Sequence, residues 1–311
     1  MSLDANAFSL DTAIQSVWDN PNLLDEMQKS LICSCLPDSR KSFPHGEEDM
    51  DTLHMVLSAC DLLKKIKSAD KKHWLSYEGR NFPSAVREFI YRTAIHFHQI
   101  EKSLPETFID PLVMFVKRSN SHVATLNYDD LLYTPFIEHQ VLSGYDGALV
   151  DGFHASGFDK KNMDRKFGRK YGYYLHLHGS PLYIDKTSCI VKVSRENVNN
   201  QTGILSSNIV LTHVDHKPSI INASKVLRAY WSKFKSAILE SDEIILFGYS
   251  GLDTHLNELL KNFIQKKRVR VIEWNGSGCF EARKCFWEKE LGKPQRLTLI
   301  QLKNVLEFTD W

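Results

Sequence analysis

Between His122 and Gly278, four short apolar runs each end abruptly in polar or glycine residues, and this pattern most restricts the folds open to the chain. The first is HVATLNYDD, from His122 to Asp130. Val123, Ala124, Thr125 and Leu126 form an apolar run with two β-branched residues, and at Asn127 the composition turns polar. YYLHLHGS (Tyr173 to Ser180), EIILFGYSGLDTH (Glu243 to His255) and VRVIEWNGSG (Val269 to Gly278) repeat the transition. Short continuous apolar runs predict strands buried on both faces, as in a parallel sheet covered by helices. In such a sheet, ligands sit in the crevice outside the carboxyl ends of the strands. Any one of these polar ends could simply cap the helix that follows. Four together predict one lined cleft.

Composition narrows the function classes. The 311 residues suffice for one large domain with insertions or two modest ones. Hydrophobic content of 42% and charged content of 25% are those of a globular chain. A net charge of +1 gives no reason to expect nucleic acid or an anionic membrane surface as a direct partner. No apolar run approaches the ~20 residues of a membrane span. Met1 to Ala13 lacks the basic start and apolar core of a signal peptide, so a cytoplasmic protein is expected. The six cysteines include no C-x-x-C pair, so the spacing of a zinc ribbon is absent and no metal is expected.

Helical periodicity dominates the first third. Ile14, Val17 and Trp18 repeat at i, i+3, i+4 before Asn20-Pro21. Asp49 to Lys67 carries Leu53, Val56, Leu57, Cys60, Leu63 and Ile66 on one face. Pro83 and Asp110-Pro111 are expected to open two further helices. Residues of about 47–118 thus read as a large helical insertion, and about 139–170, rich in Gly, Asp and Lys, as a mobile cover. His176 and His178 alternate onto one strand face, an H-x-H arrangement with no evident third ligand. The better reading of His178 is as a general base at its strand end. Ser188 to Ser194 and Ile209 to Thr212 predict further strands, and Arg296 to Gln301 the last one. Asp253 or Thr254 is placed to cap the helix after GYSGLD.

The set N-x-D (Asn127 to Asp129), L-H-G-S (Leu177 to Ser180) and G-Y-S-x-x-D (Gly248 to Asp253), in that order, resembles the sirtuin-like family of the silent-information-regulator type. The likeness is to bacterial stand-alone NAD-consuming members associated with anti-phage defence. It runs from about His122 to Gly278, with an echo of a phosphate loop at Asn6, Ala7, Phe8 and Ser9 that lacks the glycine such loops use. The resemblance implies a single α/β domain over residues 1–311, a Rossmann-like parallel sheet with helices on both faces and the helical insertion. It implies NAD as substrate, Asn127 and His178 as catalytic residues, and Asn6, Ser9, Asp129, Gly248, Ser250, Asp253 and Asn275 as NAD-binding residues. Glu273 competes with Asn275 for the adenosine ribose and with a structural salt bridge. Lys217 matches a position where related proteins often carry lysine. The implied function is an NAD glycohydrolase that releases nicotinamide and ADP-ribose as the effector of a defence system. The alternative is a non-catalytic NAD- or ADP-ribose-binding or assembly subunit, and a protein deacylase stands third. A homo-oligomer, or a sensor or regulatory protein of the same system, is the expected partner.

Overall fold

The computed structural model describes residues 8–36, 43–66, 75–166, 168–201, 208–212 and 217–311. Asn6 lies outside the described residues. The fold is mixed α/β and Rossmann-like, with parallel sheets among many helices, as the apolar runs predict.

The parallel strands fall into two three-stranded sheets. In the first, β5 (Gly172–His176) is central, with β1 (Val123–Thr125) on one side and β2 (Leu149–Val150) on the other. In the second, β9 (Arg268–Trp274) is flanked by β8 (Glu243–Phe247) and β10 (Arg296–Leu302). All five residues of β5 are buried, which is why this strand is apolar on both faces. Two antiparallel hairpins stand apart, β3 (Phe153–His154) with β4 (Gly157–Phe158) and β6 (Tyr183–Asp185) with β7 (Ile190–Lys192). The strand expected at Ser188 to Ser194 is therefore β7, outside the parallel sheets. Of the strand expected at Ile209 to Thr212, only a single bridge to Gly179 forms.

Ahead of β1, α1 (Leu10–Asp19), α2 (Glu26–Cys33) and α3 (Gly46–Lys65) pack around α4 (Tyr77–His98). Asp25 and Gln28 close a reciprocal capping box on α2. Acidic Glu47, Glu48 and Asp49 begin α3 and Lys64 and Lys65 end it, which matches the helix dipole. Buried Phe82, Val86, Phe89 and Ile90 give α4 its apolar face, each such side chain contributing about 1.5–3 kcal/mol when removed from water. Both prolines sit inside helices rather than at their starts. Ser76 caps α4 through the Gly79 amide, so the helix begins six residues before Pro83. Likewise α5 (Glu106–Ser119) begins before Pro111 and ends at Asn120 in the left-handed conformation. Each proline lies past the first turn and so removes one ladder bond, yet the helix continues beyond it.

Between β1 and β5 come α6 (Tyr133–Glu138) and the segment expected to act as a cover. Within that segment Leu149 and Val150 complete the first sheet, and Phe153 and Met163 are buried. After β7, α7 (Lys217–Ala223) leads to α8 (Lys225–Glu240), which packs on β5. α9 (Thr254–Phe263) follows β8, and α10 (Phe280–Glu290) follows β9. No helix among the described residues is long and apolar enough to cross a membrane.

Candidate active site at the strand ends

At the end of β1, the Thr125 hydroxyl accepts the Asn127 amide at 3.0 Å and turns the chain. The Asn127 side chain donates from Nδ2 to Asp129 Oδ2 at 2.9 Å, while Asp129 Oδ1 accepts the Leu131 amide at 3.1 Å. Asp129 thus sets the orientation of the exposed Asn127 amide. Burial pushes the Asp129 carboxyl up, opposed by those two hydrogen bonds and reinforced by nearby Asp130.

His178 lies just past the end of the neighbouring β5, held through the backbone. Trp231 Nε1 donates to the Leu177 carbonyl at 2.9 Å, and the Val210 amide donates to the His178 carbonyl at 2.9 Å. Gly179 follows with φ of 86°, and a Cβ there would lie 1.6 Å from the Asn208 carbonyl oxygen. Only glycine allows that approach. The H-G order read from sequence therefore has a packing cause.

Across the cleft, His178 Nε2 meets Asp253 Oδ2 at 3.0 Å. Lys217 Nζ donates to the same oxygen at 3.0 Å and stands 3.6 Å from Glu47 Oε2. The other Asp253 oxygen caps α9 by accepting the Leu256 amide at 2.9 Å. Burial alone would raise the Asp253 carboxyl. The hydrogen bond and charge of His178, the Lys217 ammonium and the Leu256 amide outweigh it, and hold the group well below the usual carboxylate range. Tyr249 closes a ring around the same residue, its hydroxyl donating to the Asp253 carbonyl and accepting the Asp253 amide. The Tyr128 ring lies 6.5 Å from that of His178, and burial beside Glu47 and Asp253 raises its hydroxyl well above the ordinary range.

Asn127, Asp129, His178, Gly248, Ser250 and Asp253 all line one cavity of about 1590 Å³. This exceeds the ~300–1,000 Å³ of ordinary small-molecule sites. Gly248 has φ of 62° and open space where a side chain would point, which leaves its backbone accessible. Two expected residues do not join them. Ser9 precedes α1 and is off the wall, although its neighbours Phe8 and Leu10 are on it. Asn275 is exposed in a short helical turn and is also off the wall. Its competitor Glu273, 3% exposed, is taken up by Arg283, Trp287 Nε1 and Gln301. This is the structural salt bridge.

His176 does not share the His178 environment. It is buried against Tyr133, Tyr174 and Tyr183, and burial pushes its imidazole down to about 3. Among the described residues, no group of three or more His, Cys, Asp or Glu side chains is placed to hold a metal.

Sequence reasoning did not foresee what Lys217, Glu47 and Tyr249 do here. Lys217 alone had a signal, its place in HVDHKPS, but its partner Asp253 lies 36 residues on. A buried His–carboxylate–ammonium set beside an oriented amide can accept a proton, stabilise developing positive charge and hold a sugar hydroxyl.

Residues 121–272, just under half of the chain, match a family model described as SIR2-like domain. The matched stretch holds Asn127, Asp129, His178, Lys217, Gly248, Ser250 and Asp253, and it supports a sirtuin-like family and NAD use in broad terms. No curated protein matches the chain.

Proposed function

We propose that this protein hydrolyses NAD at the bond between nicotinamide and ribose, with Asn127 and His178 as catalytic residues. The observation that carries the reading is that the two stand at the ends of adjacent parallel strands and face one cavity, with His178 tied to Asp253 and Lys217. In the reaction the glycosidic C–N bond breaks and its electron pair goes to the pyridinium nitrogen, so nicotinamide leaves neutral. Water oxygen bonds to the ribose carbon, and its proton passes to His178. Asp253 orients the imidazole and stabilises its charged form, as a carboxylate does in a triad. Asn127 holds a ribose hydroxyl or the water without adding a charge that would need compensation. Asp129 organises Asn127, and the open backbone of Gly248 with Ser250 meets the ribose-phosphate portion.

The resemblance to stand-alone bacterial sirtuin-like proteins supports a role as the NAD-depleting effector of an anti-phage system, restrained until a partner protein or self-assembly releases it. The test is nicotinamide release from NAD by the purified chain. Asn127→Ala and His178→Ala should each lower the rate by about 10²–10⁴ while the fold is kept. Parental turnover in both variants refutes the assignment, and NAD binding without release in the parent makes the protein a binding subunit.

A further inference from the structure

The residue between Asn127 and Asp129 has no part in the proposed reaction, yet its side chain spans the two strand ends. Parallel pairing of β1 with β5 stops at Thr125 and His176, and the last backbone bond between them runs from the Leu177 amide to the Thr125 carbonyl. Past it, among the described residues, no backbone bond joins the Asn127 turn to the His178 turn. Tyr128 supplies a link through a third segment. Its hydroxyl donates to the Val210 carbonyl, and the Val210 amide donates to the His178 carbonyl at 2.9 Å. Val210 thus takes the Asn127 turn on its carbonyl and holds the His178 turn with its amide. It is itself buried, and Ile209 before it bridges Gly179. Tyr128 is held at its other end as well. Its carbonyl accepts from Nδ1 of His98, the last residue of α4, at 3.1 Å. The Phe97 ring lies 6.2 Å from the tyrosine ring at 28°, and the His178 ring 6.5 Å away at 34°. Backbone, ring and hydroxyl are each restrained. Burial raises the hydroxyl well above its ordinary range, so it stays protonated and acts as a fixed donor, not as an acid or base.

We propose that Tyr128 is a positioning residue of the candidate active site, its hydroxyl latched on Val210 so that the separation of Asn127 from His178 is set. The inference rests on the assignment of those two residues to NAD cleavage. Reacting groups need to be held within about 0.5 Å, and a misplacement of about 1 Å can cost about 10²-fold in rate. Asn127 is exposed and anchored within its own turn by Thr125 and Asp129. Those bonds orient its amide. The Tyr128 hydroxyl relates the turn to His178, through the backbone segment that also packs against Gly179. Tyr128 therefore acts through Asn127 and His178 and not on the substrate's reacting atoms.

Tyr128→Phe in the full chain keeps the ring and removes only the hydroxyl. Steady-state nicotinamide release should show kcat lower by about 10–100-fold, KM changed by less than about 3-fold, and both limbs of the pH profile in place. Amide hydrogen exchange gives a readout free of NAD. Peptides covering 126–132 and 176–180 should exchange ~10-fold faster in the variant while peptides of β9 stay protected. An unchanged kcat overturns the inference. So does a loss confined to KM, which would make the ring a wall for substrate, or a displaced pH limb, which would make the hydroxyl an acid or base. Exchange that ignores the substitution overturns it too. If the parent releases no nicotinamide, the proposed reaction fails, and the exchange result alone decides whether the latch holds the two turns together.

Discussion

Asp253→Asn is the most informative single change, because one oxygen of this side chain serves His178 and Lys217 and the other serves α9. Asparagine keeps the shape and remains a good N-cap, so the ~1 kcal/mol of capping is retained. What is lost is the charge. Among the described residues Lys217, 4% exposed, then keeps only Glu47 at 3.6 Å as a carboxylate partner. Removing one member of a buried ion pair costs about 3–5 kcal/mol, and the nearness of Glu47 places this case at the low end. For a chain of this length, about 3 kcal/mol lowers the melting temperature by roughly 5 °C. Nicotinamide release should fall further than stability does, by about 10²-fold or more, because His178 loses the group that orients it. Calorimetry and a nicotinamide assay on the same preparation separate the two effects. A variant that melts within about a degree of the parent and turns over NAD equally fast would show that this network neither holds the helices nor positions His178.

Gly179→Ala should cost more than about 3 kcal/mol, since a methyl group 1.6 Å from the Asn208 carbonyl must displace backbone at a positive φ; soluble yield and chemical denaturation check it. Glu273→Gln should destabilise the fold by about 2–4 kcal/mol by unpairing Arg283, yet leave the rate per folded molecule unchanged, because Glu273 is off the cavity wall. Acid should weaken the fold through Asp253 in a definite window. Its folded carboxyl titrates below the ordinary 3.8, so its contribution is full above that value and is lost as pH falls beneath it, which an acid titration at fixed urea detects in the parent and not in Asp253→Asn.

The strand ends were legible because their signal is local. An apolar run that stops at Asn127, a histidine before a glycine at 178–179 and an aspartate before a helical pattern at 253 are each written within a few residues. Period, turn chemistry and capping act over that range. The α/β class and the gathering of Asn127, Asp129, His178, Gly248, Ser250 and Asp253 around one cleft follow from them. Helix starts at Tyr77 and Glu106 were less legible, since the prolines drew attention away from the caps before them.

Tertiary structure alone decided which charges share an oxygen. His178 and Asp253 are 75 residues apart and Lys217 stands between them in sequence, yet His178 and Lys217 meet on one oxygen of the Asp253 carboxylate. It also withdrew Glu273 into a salt bridge with Arg283, left Asn275 in solvent, and recruited Leu149 and Val150 from an apparent surface loop as a strand. The reason is that crossover connections, not neighbouring residues, set which strand ends meet. Alternation and capping specify how each strand and helix is made, whereas the pairing of charges appears only when the sheets and helices pack.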